Sequence, residues 1–194
     1  KTMKEIILAT GNAHKAHEFR EMLPNVRILT LKDLPQPVTI VEDGETFEEN
    51  ALKKARAVYE ATGKAAMADD SGIEVDALGG QPGVHSARWM GEETPYDIKN
   101  ARLIELTEGR PKTARYVCAI AYVDEKGNEY VNRQTVEGEI ARAPRGDNGF
   151  GYDPVFYYPP FGTTLAAVSE DRKNSISHRA KALKQFLADM GDRL

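Results

Sequence analysis

Cysteine is almost absent from this chain of 194 residues, and the single one, Cys118, can close no internal disulfide. That excludes a disulfide-stapled scaffold and makes a reducing, cytoplasmic setting the expectation. Cys118 lies in an apolar stretch and reads as a small buried hydrophobe, not a nucleophile. Histidine is scarce as well, with four in all. His14 and His17 have helical spacing, but no third ligand stands at zinc-like spacing, so both read as surface residues. A basic excess is also missing: 26 Lys and Arg against 30 Asp and Glu give a net charge of −4, which argues against a nucleic-acid partner. No apolar run approaches membrane-spanning length and no signal-peptide pattern opens the sequence, so no membrane partner is expected. Neither of the common glycine-rich phosphate loops, GxxxxGK[ST] and GxGxxG, occurs.

What is present reads as one α/β domain spanning residues 1–194. Residues 4–10 and 26–31 have the composition of buried strands, and between them residues 13–23 carry apolar side chains at helical spacing. Thr46-Phe47-Glu48-Glu49 is a capping-box start for a helix to about residue 62, with Gly63 placed to end it. Strands are predicted at 65–68 and 73–75, and a helix at 95–107. Two long strands, 113–123 and 129–141, flank the turn signal Glu125-Lys126-Gly127-Asn128. An amphipathic helix over 177–190 closes the chain. This order predicts a mixed β-sheet with flanking helices.

Four segments carry chemistry. In Ala68-Asp69-Asp70-Ser71-Gly72, two carboxylates follow a short apolar run. Acids leaving the end of a buried strand require a compensating cation, for which magnesium is suited, whereas the same residues are also good turn formers. In Thr10-Gly11-Asn12-Ala13-His14-Lys15, a glycine-containing strand-to-helix turn presents backbone N–H groups and a helix N-terminus to an anion. In Gly149-Phe150-Gly151-Tyr152-Asp153-Pro154, glycines and rings suit the stacking of a base, and Asp153 needs a partner if buried. Lys173, and Arg179 near the start of the last helix, are basic residues placed against the helix dipole preference.

Together these segments resemble the inosine triphosphate pyrophosphatase family. The resemblance rests on ATGNAHK, VEDGETFEENALKKA, ADDSG followed by LGGQPGVHSARW, GFGYDPVF and KNSISHRAKAL, in order over residues 8–183. It implies Mg-dependent hydrolysis of non-standard purine nucleoside triphosphates (ITP, dITP, XTP) to the monophosphate and pyrophosphate. It also implies an elongated two-lobed fold with a central nucleotide cleft, and a homodimer. By motif, Thr10, Gly11, Asn12, Ala13, His14 and Lys15 would hold the triphosphate, and Ser71 would contact substrate. Asp70 would activate water and ligate magnesium, with Glu42 as the other metal carboxylate. Phe150, Gly151, Tyr152 and Asp153 would form the base pocket, closed by Lys173, His178 and Arg179. Tyr152 stands where family members often carry Trp.

Two other readings compete: a nucleotide sensor without catalysis, and a pyrophosphatase for modified pyrimidine nucleotides. Pyrophosphate release across ITP, XTP, dTTP, UTP, ATP and GTP separates them. The expected outcome is magnesium-dependent release from ITP and XTP. Release from dTTP or UTP instead supports the pyrimidine reading, and release from none supports the sensor.

Overall fold

A strand, a helix and a strand open the fold: β1 (Lys4–Leu8), α1 (Ala13–Met22) and β2 (Val26–Thr30). The computed structural model describes residues 3–194. α1 begins at Asn12, whose side-chain oxygen accepts from the amides of His14 and Lys15 at 2.8 and 3.2 Å. α2 (Phe47–Thr62) begins at Thr46, whose hydroxyl accepts from the Glu49 amide at 3.1 Å. It ends at Gly63, in the left-handed conformation that a side chain would resist. α3 (Tyr96–Leu106), β4 (Thr113–Val123) and β5 (Glu129–Ile140) follow the sequence expectation to within a residue or so. The turn between β4 and β5 is tied by the Asp124 carboxylate, which accepts from the amides of Lys126 and Asn128.

The acidic segment over residues 68–72 departs from expectation. In place of two short strands around a turn, residues 66–75 form one continuous strand, β3 (Ala66–Val75). Asp69, Asp70, Ser71 and Gly72 therefore lie within a strand and not at its end. Ladder pairing overrides their turn propensity, because backbone groups in a sheet interior must be satisfied along the whole strand. The aromatic segment also acquires structure that periodicity did not suggest: short strands β6 (Phe156–Tyr158) and β7 (Thr163–Thr164), then α4 (Glu170–Asn174). α5 (His178–Met190) closes the chain.

The sheet is mixed, with strand order β2-β1-β3-β4-β5-β6-β7. β1 pairs parallel to β2 and to β3, whereas β6 pairs antiparallel to β5 and to β7. Packing divides the chain into two compact units. The first holds residues up to Asp70, Cys118–Gln134 and Arg179–Leu194, and the second holds Ser71–Val117 and Thr135–His178. In the first, Phe19 of α1 and Leu183 and Phe186 of α5 pack with Ile6, Leu8, Met67, Cys118 and Ile120 from the strands. Cys118 is thus core, as expected of a small apolar residue. In the second, Ile73, Leu103, Tyr116, Val136, Tyr152, Val155 and Phe156 form the core. Each fully buried Leu, Ile or Phe contributes about 1.5–3 kcal/mol.

Gly146 shows how tightly the second unit is closed. Its φ is +89°, and a Cβ there would lie 2.2 Å from the Ala166 carbonyl oxygen and 2.4 Å from the Ala167 nitrogen. Gly162, at φ +66°, has open space around it. Gly146→Ala is expected to destabilise by about 3 kcal/mol, combining backbone strain with a clash against main chain. Gly162→Ala should cost only the left-handed penalty, about 1–2 kcal/mol. Urea unfolding of both variants checks the difference, and equal losses would contradict it.

Candidate active site

Adjacent residues on a strand face opposite sides of a sheet, so Asp69 and Asp70 meet different surroundings. Asp69 lies on the face shared with Ala65 and Met67, against α1 and α5. Its side chain is 3% exposed. Lys15 of α1 donates to Oδ1 at 3.2 Å, and the Nε of Arg179 in α5 donates to Oδ2, also at 3.2 Å. Arg179 gives a further bond to Glu18 at 2.8 Å. Burial by itself would raise the Asp69 pKa. The charges of Lys15, Arg179 and Lys54 outweigh that and hold its carboxyl well below the usual carboxylate range. Reciprocally, burial would lower the Arg179 pKa, but Asp69 leads the groups that hold its guanidinium above the ordinary range.

Asp70 is in the opposite situation. Burial pushes its carboxyl up to about 6, with Glu42 and Asp69 adding to the rise and Lys54 and Asn50 opposing it. Lys54 Nζ lies 3.7 Å from Asp70 Oδ1 and 3.0 Å from Glu42 Oε1, so one ammonium bridges the two acids expected to hold metal. The other oxygen of Asp70, Oδ2, is buried without a hydrogen-bond partner. An orphaned carboxylate oxygen costs free energy unless something ligates it. The donor set fits magnesium, a hard ion that takes one or two carboxylates and completes its shell with water and phosphate oxygens. Among the described residues no group of three or more His, Cys, Asp or Glu side chains gathers to form an all-protein cage.

Lys54 and Asn50 are site residues that sequence reasoning missed. Both lie on α2, one turn apart. Asn50 is buried, and its Oδ1 accepts from the Gly44 amide at 2.8 Å, which ties the Glu42 loop to the helix. A Cβ on Gly44 would come within 2.7 Å of that oxygen, so the loop can approach only as glycine. The available signal was a pair of polar residues interleaved with the apolar face that Phe47, Ala51, Ala55 and Val58 bury.

The Thr10–Lys15 turn is partly self-satisfied. Thr10 Oγ1 accepts from the Asn12 amide at 3.1 Å, and Asn12 caps His14 and Lys15. The expected row of free N–H groups therefore reduces, among the described residues, to the amides of Gly11 and Ala13. His14 is exposed, and His17 pairs with Glu21 on the surface.

The second unit begins at Ser71 and gathers the other expected residues. Asp153 is buried with all of its obvious partners nearby: the Tyr116 hydroxyl at 2.8 Å, the Phe150 amide at 3.0 Å and Lys173 Nζ at 2.5 Å. His178 stacks on Tyr116, with centroids 4.9 Å apart and planes at 12°. Gly149, at φ +70°, brings its backbone so close that a Cβ would stand 2.3 Å from Asp153 Oδ2. Asp153 thus orders the turn that displays Phe150, which is 71% exposed with Lys173 over its ring at 4.3 Å. Tyr152 differs from Phe150: its ring is 5% exposed and its hydroxyl donates to the Ser86 carbonyl. Of the two rings, Phe150 is the one open to a ligand.

The sequence pattern of the Ham1 family matches residues 6–189. The chain is 48% identical over 190 residues to a dITP/XTP pyrophosphatase of Geobacillus kaustophilus, covering 95% of this chain and 93% of that one. It is 45% identical over 188 residues to one from Desulforamulus reducens, covering 94% of each. The fold is similar to the Staphylococcus aureus Ham1 protein, with a TM-score of 0.93 at 37% identity over 98% of this chain and 100% of that one. It is also similar to a nucleoside-triphosphatase, or dITP/XTP pyrophosphatase, from Mycobacterium abscessus. There the TM-score is 0.81 at 40% identity, over 94% and 98% of the two chains.

The two acids give opposite pH signatures. Asp69, with a depressed pKa, contributes stability that is present above the ordinary carboxylate pKa and lost as pH falls. Asp70, raised to about 6, favours the folded state only while protonated, so its contribution fades as pH climbs towards and past 6. In metal-free buffer, Asp70→Asn should therefore stabilise the protein at pH 7 by up to about 3 kcal/mol, with the gain vanishing near pH 4. Asp69→Asn should destabilise at pH 7, because Lys15 and Arg179 lose their shared counter-charge. Denaturant titrations from pH 4 to 8 test both signs. A pH-independent effect of Asp70→Asn would contradict the assignment.

Proposed function

Because this chain belongs to the Ham1 family, we propose that it hydrolyses the deaminated purine nucleoside triphosphates dITP, XTP and ITP to the monophosphate and pyrophosphate. The observation that carries the reading is the divergence of two neighbouring carboxylates. Asp69 is locked as an anion by Lys15 and Arg179, while burial pushes the Asp70 carboxyl up to about 6 and leaves one of its oxygens unsatisfied. Environments that push paired acids apart mark a division of labour between charge stabiliser and proton acceptor.

In this reading Asp70 takes the proton of the attacking water. A carboxyl pushed up to about 6 is still mostly ionised at neutral pH, yet is a stronger base than an ordinary aspartate. Asn50 and Lys54 orient that carboxylate, and Asp70 and Glu42 would hold magnesium. The ion, when bound, lowers the pKa of water and screens phosphate charge. Lys15 and the free amides of Gly11 and Ala13 supply positive charge to the phosphate chain. In the second unit Phe150 offers its open face to the base, and Lys173 and His178 provide polar groups beside the Phe150–Asp153 turn. A homodimer, on the strength of the family resemblance, and a cytoplasmic location, on the scarcity of cysteine, complete the proposal. Among the described residues no helix is long and apolar enough to cross a membrane.

Removing the proton acceptor should lower turnover of ITP in Asp70→Asn by at least about a hundredfold, the lower scale for a positioned base. That variant is then more stable and less active, a combination characteristic of a residue strained for function. Near-normal pyrophosphate release from it would end the assignment. The bond that breaks is tested by hydrolysing ITP in ¹⁸O-labelled water. Label should enter IMP and leave pyrophosphate unlabelled; label in pyrophosphate means attack at the β-phosphorus, and IDP with orthophosphate excludes the proposed reaction.

A further inference from the structure

Lys99, on α3 in the second unit, is fully buried, with none of its surface exposed. Its Nζ donates to the Ala87 carbonyl at 3.0 Å and lies 4.6 Å from the centroid of the Tyr96 ring. Among the described residues no carboxylate pairs with it. A carbonyl needs only a neutral donor, so the positive charge is surplus to that bond. Sequestering such a charge without a counter-ion is costly, which is why buried lysines are otherwise paired.

The surroundings of Lys99 lead to the base-side turn. Tyr96 meets Tyr152 edge to face, with centroids 5.1 Å apart. A Cβ on Gly151 would touch the Tyr96 ring at 3.7 Å. Tyr152 donates to the carbonyl of Ser86, the residue before the Ala87 that Lys99 holds. The next residue of α3, Asn100, donates from Nδ2 to the Gly151 carbonyl at 3.1 Å and leaves its buried Oδ1 without a partner. One face of a single helix thus supports the Phe150–Asp153 turn from behind and puts an unneutralised cation there.

The missing counter-charge can arrive with the ligand. Xanthine nucleotides lose a ring proton in the weakly acidic range and carry an anionic base at neutral pH, whereas hypoxanthine stays neutral. We infer that Lys99 is a specificity-determining residue whose buried charge, set behind Tyr96, biases the base site towards xanthine over hypoxanthine. The inference rests on the purine reading above and deepens it. Screened by the rings between it and the ligand, such a charge is expected to shift relative preference by about fivefold.

The experiment measures kcat/KM for XTP and for ITP at neutral pH in the natural protein, Lys99→Gln and Lys99→Arg. Glutamine keeps a donor for Ala87 without charge, and arginine keeps the charge. The XTP to ITP ratio should fall about fivefold in Lys99→Gln and persist in Lys99→Arg. An unchanged ratio in Lys99→Gln, with both substrates weakened alike, would reduce Lys99 to a structural clamp and overturn the inference, as would an equal fall in Lys99→Arg. Calorimetric titration of the natural protein with XMP and IMP needs no substitution and stands even if a variant does not fold. Tighter binding of XMP is expected, and equal affinities overturn the inference. Failure to hydrolyse either triphosphate would instead count against the purine reading itself.

Discussion

A carboxylate buried in a sheet cannot stay ionised without cations brought to it, and the first unit is organised around meeting that demand at Asp69. Lys15 comes from α1 and Arg179 from α5, and both reach the same side chain on β3. The two helices that bury Phe19, Leu183 and Phe186 are thereby also pinned by charge. Close packing of the interdigitated side chains sets where the helices lie, and the two-cation clamp adds directional, charge-assisted bonds to it. This constraint keeps Lys15 aimed at the strand while leaving its side chain 29% exposed.

The pleat of β3 places one dipeptide in two environments. Asp69 faces the helices that carry Lys15 and Arg179, and Asp70 faces α2, where a lone ammonium serves both it and Glu42. Had the dipeptide formed a turn, both acids would have been solvated and ordinary. Held within a continuous strand, one becomes a permanent anion and the other a frustrated carboxylate with an unsatisfied oxygen. That frustration is stored at the cost of stability, as is expected of a position held in place by the surrounding fold.

The second unit treats its buried acid in the opposite way. Asp153 accepts from a phenol, an amide and an ammonium, and spends its capacity on fixing a turn. Gly149 is required there because its backbone passes where a side chain would strike the carboxylate. The result is one displayed ring, Phe150, beside one buried ring, Tyr152, from two residues that the sequence presents as equivalent.

What could be read from the sequence was local. The Thr46 and Gly63 helix boundaries, the Asn12 cap and the alternation of strand and helix all depend on residues a few positions apart, whose preferences act before tertiary contacts form. The motif residues of the candidate site were legible for the same reason, because each motif is contiguous. Tertiary structure decided the rest. Asp69 meets Lys15 and Arg179 across 54 and 110 residues, and Arg179 meets Glu18 across 161. No local pattern encodes which distant cation will neutralise a given acid. The continuity of β3 through a turn-forming tetrad, the roles of Asn50 and Lys54, and the burial of Lys99 likewise came from the sheet and helices packed around them. Desolvation and charge pairing are properties of the assembled surroundings, and the same Asp, Lys or Tyr takes its chemistry from them.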